Sequence, residues 1–98
     1  MNDFFSAMQI LDDKVSNVPA FGKKVRFVLD DNSAILNGNL TPPKVELEDS
    51  DAEIVFKSTL VNFNKLMSKE LNATTAFMSG KIKIEGDLKS ALPLMKIL

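Results

Sequence analysis

Between Lys24 and Lys57 the chain passes four times through the same short pattern, apolar residues alternating with polar ones, and a turn-forming cluster separates each pass from the next. Val25, Phe27 and Leu29 alternate with Lys24, Arg26 and Val28, and Asp30-Asp31-Asn32-Ser33 follows as a tight turn. A second run, about Ala34 to Leu40, places Ala34, Leu36 and Leu40 on one side. Pro42 and Pro43 cannot donate to a ladder and mark a break before Val45 and Leu47, which alternate with Lys44, Glu46 and Glu48. Asp49-Ser50-Asp51 is the next turn, and Ala52, Ile54 and Phe56 then alternate with Glu53, Val55 and Lys57. A period of two means that each run buries one face only. The fold must therefore supply apolar cover for one side of a sheet.

The cover is legible on either side of the strands. Phe4, Met8, Leu11 and Val15 recur at helical spacing, with Asn2 or Asp3 as cap. After the fourth strand the period changes: Ser58 or Thr59 caps a stripe of Leu60, Phe63, Met67 and Leu71. Asn72 to Met78 suits a short helix stopped by Gly80. Ile82 and Ile84, alternating with Lys81, Lys83 and Glu85, form a fifth strand that ends at Gly86. Asp87 then caps a final helix carrying Leu88, Ala91, Leu92 and Met95, which Pro93 should kink or split. Helix, four strands, two helices, strand, helix is an α+β order, and a chain of 98 residues has room for one core, so residues 1–98 read as a single domain.

Composition narrows the chemistry. Neither cysteine nor histidine occurs, which removes disulfides, the usual zinc ligands, Ser-His and Cys-His nucleophile pairs, and the commonest general base near neutral pH. No residue stands out as catalytic, no cofactor is implied, and the chain reads as a non-enzyme. A net charge of −1 provides no field for nucleic acid, with Lys23, Lys24 and Arg26 the only dense basic cluster. That cluster suits either an exposed strand edge or transient contact with an anionic membrane. No apolar run approaches the roughly 20 residues of a membrane span. Asp3 breaks a signal layout and Lys96-Ile97-Leu98 is not a peroxisomal ending, so the expected location is cytoplasmic. The acid pairs Asp12-Asp13, Asp30-Asp31 and Asp49-Asp51 read as solvated carboxylates, mostly in turns, before they read as metal or acid–base sites.

The segment Thr75-Ala76-Phe77-Met78-Ser79-Gly80-Lys81-Ile82-Lys83-Ile84-Glu85-Gly86-Asp87-Leu88 resembles the signature of the sterol carrier protein type 2 lipid-binding domain. Its glycines look structural, Gly80 releasing a helix into a strand and Gly86-Asp87 turning that strand into the next helix. Lys69 stands where the family commonly has a glycine to close a helix, and Ala73 where a proline is frequent. The resemblance implies a five-stranded, mostly antiparallel sheet with helices covering one face and a lipid-sized tunnel between the layers. It also implies non-catalytic binding or transfer of fatty acids, acyl-coenzyme A esters, sterols or other lipids. Phe63, Met67, Phe77, Met78, Ile82, Leu92, Met95 and Leu98 are the residues expected to line such a tunnel. Two other readings stand beside this one. Met and Phe at helical spacing also serve as plain core filling. The final helix, apolar on a second side through Leu94, Ile97 and Leu98, also suits a homodimer or a docking face accessory to an enzyme of lipid metabolism. Thr74, Thr75, Ser79 and Lys81 are candidate head-group contacts, with local capping as the alternative use of the hydroxyls.

Overall fold

The computed structural model describes residues 3–48 and 50–98, apart from the side chains of Pro93, Leu94 and Ile97. The elements follow the order α1 (Phe4–Val15), β1 (Lys24–Leu29), β2 (Asn32–Asn37), β3 (Lys44–Glu46), β4 (Ile54–Ser58), α2 (Leu60–Met67), α3 (Ala73–Met78), β5 (Ile82–Gly86) and α4 (Leu88–Ile97). The succession expected from periodicity is the one observed. Caps fix the helix starts: Asp3 Oδ1 accepts from Ser6 N at 2.8 Å, Thr59 Oγ1 from Asn62 N at 3.0 Å, Asn72 Oδ1 from Thr75 N at 3.1 Å and Asp87 Oδ1 from Lys89 N at 3.0 Å. Asn2, the other candidate cap for α1, lies outside the described residues. Pro93 does not split α4, which runs through it as one helix.

The strands form one sheet in the order β3-β2-β1-β4-β5, antiparallel except where β4 lies parallel to β1. A two-residue turn joins β1 to β2, with Asp30 at φ 55°, a conformation that aspartate tolerates better than most side chains. In register, Val25 sits between Leu36 and Ile54, and Phe27 between Ala34 and Phe56, with Ile84 next across the sheet. These residues make one apolar face. Against it lie Met8, Leu11 and Val15 of α1, Phe63, Leu66 and Met67 of α2, Ala73 and Ala76 of α3, and Ala91 of α4. The rings of Phe27, Phe56 and Phe63 meet at the centre, 4.9 to 6.4 Å between centroids.

Two glycines are required where the motif has them. Gly80, at φ 81°, follows α3 in a Schellman turn: Lys81 N donates to Ala76 O at 2.9 Å and Gly80 N to Phe77 O at 3.3 Å. Gly86, at φ 107°, faces Ile54, and a Cβ there would stand 2.4 Å from the Glu53 carbonyl oxygen.

Several local expectations are corrected. β2 ends at Asn37, whose Oδ1 accepts from Asn39 N at 3.0 Å in a local turn, and Leu40 is left exposed. β3 stops at Glu46, leaving Leu47 exposed as well. β1 is the central strand, so the Lys23-Lys24-Arg26 cluster does not mark a sheet edge. Arg26 projects from the face opposite the helices and donates through Nη2 to the Ser50 carbonyl, tying the β3–β4 connection across that face. Ile35, beside Arg26 in the register, is buried there although alternation sets it on the polar side. Asp12 and Asp30 are not merely solvated: Asp12 Oδ1 accepts from Val45 N at 3.0 Å and Asp30 Oδ2 from Leu60 N at 3.2 Å. Asp49 lies outside the described residues.

Candidate functional site

The residues singled out from the sequence divide into three groups. Phe63 and Ile82 are fully enclosed in the core, Phe63 with its ring edge-on to Phe27 and Phe56. Met67 and Leu98 are buried at its margin, and Phe77 and Met95 pack half-buried against it. Met78 is 82% exposed and Leu92 59%, so neither contributes to an enclosed lining in this conformation. The interlayer space at the level of Phe63 is filled by protein side chains.

The half-buried members gather where α3 and α4 meet the edge strand β5. α4 turns Ala91 and Leu98 inward and leaves Leu88 (52% exposed) and Leu92 outward. Positions 88, 92 and 95 lie on one helical stripe, of which Leu88 and Leu92 are exposed and Met95 is half-buried against the core. Its start is tied by Asp87, whose carboxylate holds Lys89 N and Ser90 Oγ. Its far end is tied by Lys69, whose Nζ donates to Leu98 O at 3.0 Å.

An open groove of about 560 Å³ runs between α1 and α2, with Ile10, Leu60, Val61 and Met67 as its apolar lining and Lys65, Ser68 and Glu70 as polar members. Sequence periodicity missed it, because Ile10 and Val61 lie off the buried stripes of their helices. Lys69, just past the end of α2, adopts φ 68°, the conformation for which glycine is suited. That is the position where the family commonly has glycine, so the departure visible in the sequence is one of side chain and not of backbone. The Lys14 side chain of α1 comes up against Lys69, and burial, followed by that neighbouring charge, holds Lys14 below its ordinary 10.5. Of the hydroxyl candidates, Ser79 Oγ bonds Ala76 O, a local cap, and Thr74, Thr75 and Lys81 are exposed. Among the described residues there is no acidic cluster able to hold a metal ion, and no helix long and apolar enough to cross a membrane.

Comparison with known proteins converges on one fold. Human hydroxysteroid dehydrogenase-like protein 2 is 44% identical over 52 residues, a stretch that is 52% of this chain but only 12% of that protein. The chain thus corresponds to a small part of its curated relatives. The crystal structure of sterol carrier protein 2 like 2 from Aedes aegypti superposes with a TM-score of 0.82 at 16% identity, covering 96% of this chain and 94% of that one. The solution structure of palmitated SCP2L2 from the same mosquito gives a TM-score of 0.77 at 17% identity, covering 96% and 92%. Identities this low establish the fold alone. The family model described as the SCP-2 sterol transfer family matches residues 9–98, so almost the whole chain, including α4, belongs to the SCP-2 sterol transfer family.

Proposed function

We propose that the chain is a non-catalytic lipid-binding module that takes up the alkyl chain of a fatty acid, acyl ester or similar lipid between the sheet and α4. Met67, Phe77, Ile82, Leu92, Met95 and Leu98 form the wall. Phe63 stays in the permanent core, and Met78 stands outside the site. The observation that carries this reading is α4 itself: an apolar strip on a helix that leans on the edge strand and is held at its far end by the Lys69–Leu98 bond. Lifting that end would open a tunnel between the buried Met67, Ile82 and Leu98 and the half-buried Phe77 and Met95.

Burying a sixteen-carbon tail releases about 0.8 kcal/mol per methylene, roughly 12 kcal/mol gross, with no directional contact required. Transfer from a bilayer is nearly balanced, since the tail leaves one hydrocarbon environment for another, and this suits a carrier that must also release its load. The palmitated mosquito structure of the same fold agrees in ligand class.

Native mass spectrometry and organic extraction of the purified protein should find lipid bound. Displacement of a fluorescent fatty acid should be weakened about tenfold by Leu92→Asp, a change at an exposed position that leaves the core intact. An empty protein that no lipid enters at micromolar concentration ends this reading. The same strip would also serve a second copy of the chain, and light scattering at tens of micromolar, with and without lipid, separates the two uses.

A further inference from the structure

The two edges of the sheet differ. β3, at one edge, is three residues long, and its Val45 N–H donates to Asp12 Oδ1 of α1 at 3.0 Å. β5, at the other edge, runs for five residues and is paired on its β4 side only. Among the described residues no hydrogen bond from outside that pairing reaches the backbone from Ile82 to Gly86; Asn62 Nδ2 stops one residue short, at Lys81 O. An antiparallel strand bonded on one side leaves the N–H and C=O of alternate residues facing outward, a template for a further strand. One edge is closed and the other is open.

The side chains along the open edge say which strand fits it. Lys81-Ile82-Lys83-Ile84-Glu85-Gly86-Asp87 is complementary in charge to its own reverse, with Ile84 as the centre. Antiparallel pairing of two copies about Ile84 sets Lys83 beside Glu85, Lys81 beside Asp87 and Ile82 beside Gly86, and two-fold symmetry makes each contact twice. Within one copy Lys83 is badly placed, directly opposite Lys57 in the register, while the Glu85 carboxylate meets Lys57 at 2.7 Å through Oε2. Like charges directly opposite destabilise a ladder. Among the described residues Lys83 has no carboxylate within ion-pair distance. In the paired arrangement Glu85 of the second copy arrives on the free side of Lys83, with Oε1 still open to it. Asp87 stays engaged in capping α4, so the Lys83–Glu85 contact decides the fit. Exposed apolar side chains flank the edge, Met78 just before β5 and Leu88 just after it. Since the start of one strand lies beside the end of the other, Met78 of each copy meets Leu88 of its mate at a corner of the pair.

We propose that β5 is a dimerisation edge, at which a second copy of this chain adds its own β5 antiparallel about Ile84 and continues the sheet across both molecules. The pairing uses the strand edge and takes only Leu88 from the α4 stripe, so it stands independently of the lipid-binding reading. Five strand residues and two apolar corners make a small interface, of the kind that associates weakly and reversibly.

Sedimentation equilibrium from tens of micromolar to the millimolar range should show monomer and dimer in exchange. Amide exchange over residues 82–86 should slow at alternate positions as the dimer fills. Lys83→Glu and Glu85→Lys each set like charges together at both symmetric contacts, and each should weaken the dimer about tenfold or more. Both positions are exposed, so the variants should remain folded, as circular dichroism will verify. Mixing the two variants should restore association, because each then supplies the charge that the other needs, a recovery that a mere loss of stability would not give. A monomer at every concentration, a dimer that neither charge change weakens, or no recovery on mixing overturns the proposal. A dimer dissolved by Leu92→Asp and by neither charge change sits on the α4 strip, which overturns it equally.

Discussion

Replacing Phe63 by alanine separates a core residue from a ligand-lining one. The Phe63 side chain is fully enclosed, its ring 5.9 Å from Phe27 and 6.4 Å from Phe56 in edge-on geometry. Truncation removes the ring from a packed centre, which typically costs about 3–5 kcal/mol. Edge-to-face pairs contribute about 0.5–1.5 kcal/mol each beyond the area they bury, so the two lost here place the change toward the upper end of that range. A domain of this size holds roughly 5–15 kcal/mol in total, and the variant should lose a third of it or more. The chain has no tryptophan or tyrosine, so unfolding in urea must be followed by far-ultraviolet circular dichroism. The midpoint should fall with the slope unchanged. Phe63→Leu should cost about 1 kcal/mol and leave palmitate affinity untouched. A loss below about 1.5 kcal/mol for the alanine variant would show that Phe63 borders open space, and the assignment of this ring to the permanent core would then be wrong.

Lys69 offers a test of the backbone alone. Lys69→Ala and Lys69→Gly both remove the bond to Leu98, so the difference between them isolates the φ of 68°; the glycine variant should be the more stable by about 1 kcal/mol, near 5 °C in melting temperature. Equal melting temperatures would refute the left-handed assignment. Glu53 accepts from the Lys24 backbone N–H at 2.7 Å, and that bond holds its carboxyl below the ordinary 4.5. A carboxyl depressed in the folded state adds stability that is complete above about pH 4.5 and is lost as pH falls through the lowered value. Glu53→Gln should therefore flatten the decline of stability in acid, measured by urea titration from pH 5 to pH 3, and an unchanged slope would count against the bond.

Element order was readable because every signal behind it is local. Asp3, Thr59 and Asp87 sit directly before apolar stripes, and Gly80 directly after one, so capping and periodicity agree within a few residues of each boundary. Strand order was not readable from the residues alone, since nothing within β1 or β4 says that they pair in parallel; that pairing requires the chain to cross from the β3 edge to the far side of β1. The same crossing explains Ile35. Alternation places it with Arg26 and Glu46 on the polar face, and it is buried because a connection tied down by Arg26 passes over that face.

The residues expected to line a tunnel show a different limit. A helical stripe reports that Phe63, Met67 and Met95 turn toward the rest of the protein, but core packing and ligand contact need the same side chains at the same spacing, so periodicity cannot divide them. Depth divides them: Phe63 sits against two other rings, while Met95 rests at the margin of a helix whose next apolar turn, Leu92, faces solvent. The approach of Lys14 to Lys69 was less legible still, because the two belong to separate elements and meet only where α1 and α2 finish together. One trace of it stood in the sequence, a lysine where the family places a glycine. A lysine in that backbone conformation is costlier than the glycine it replaces, and the bond from its amine to Leu98 offsets part of that cost only while α4 stays closed. The departure therefore acts where α2 and α4 finish together, and its effect is read in the stability difference between Lys69→Gly and Lys69→Ala.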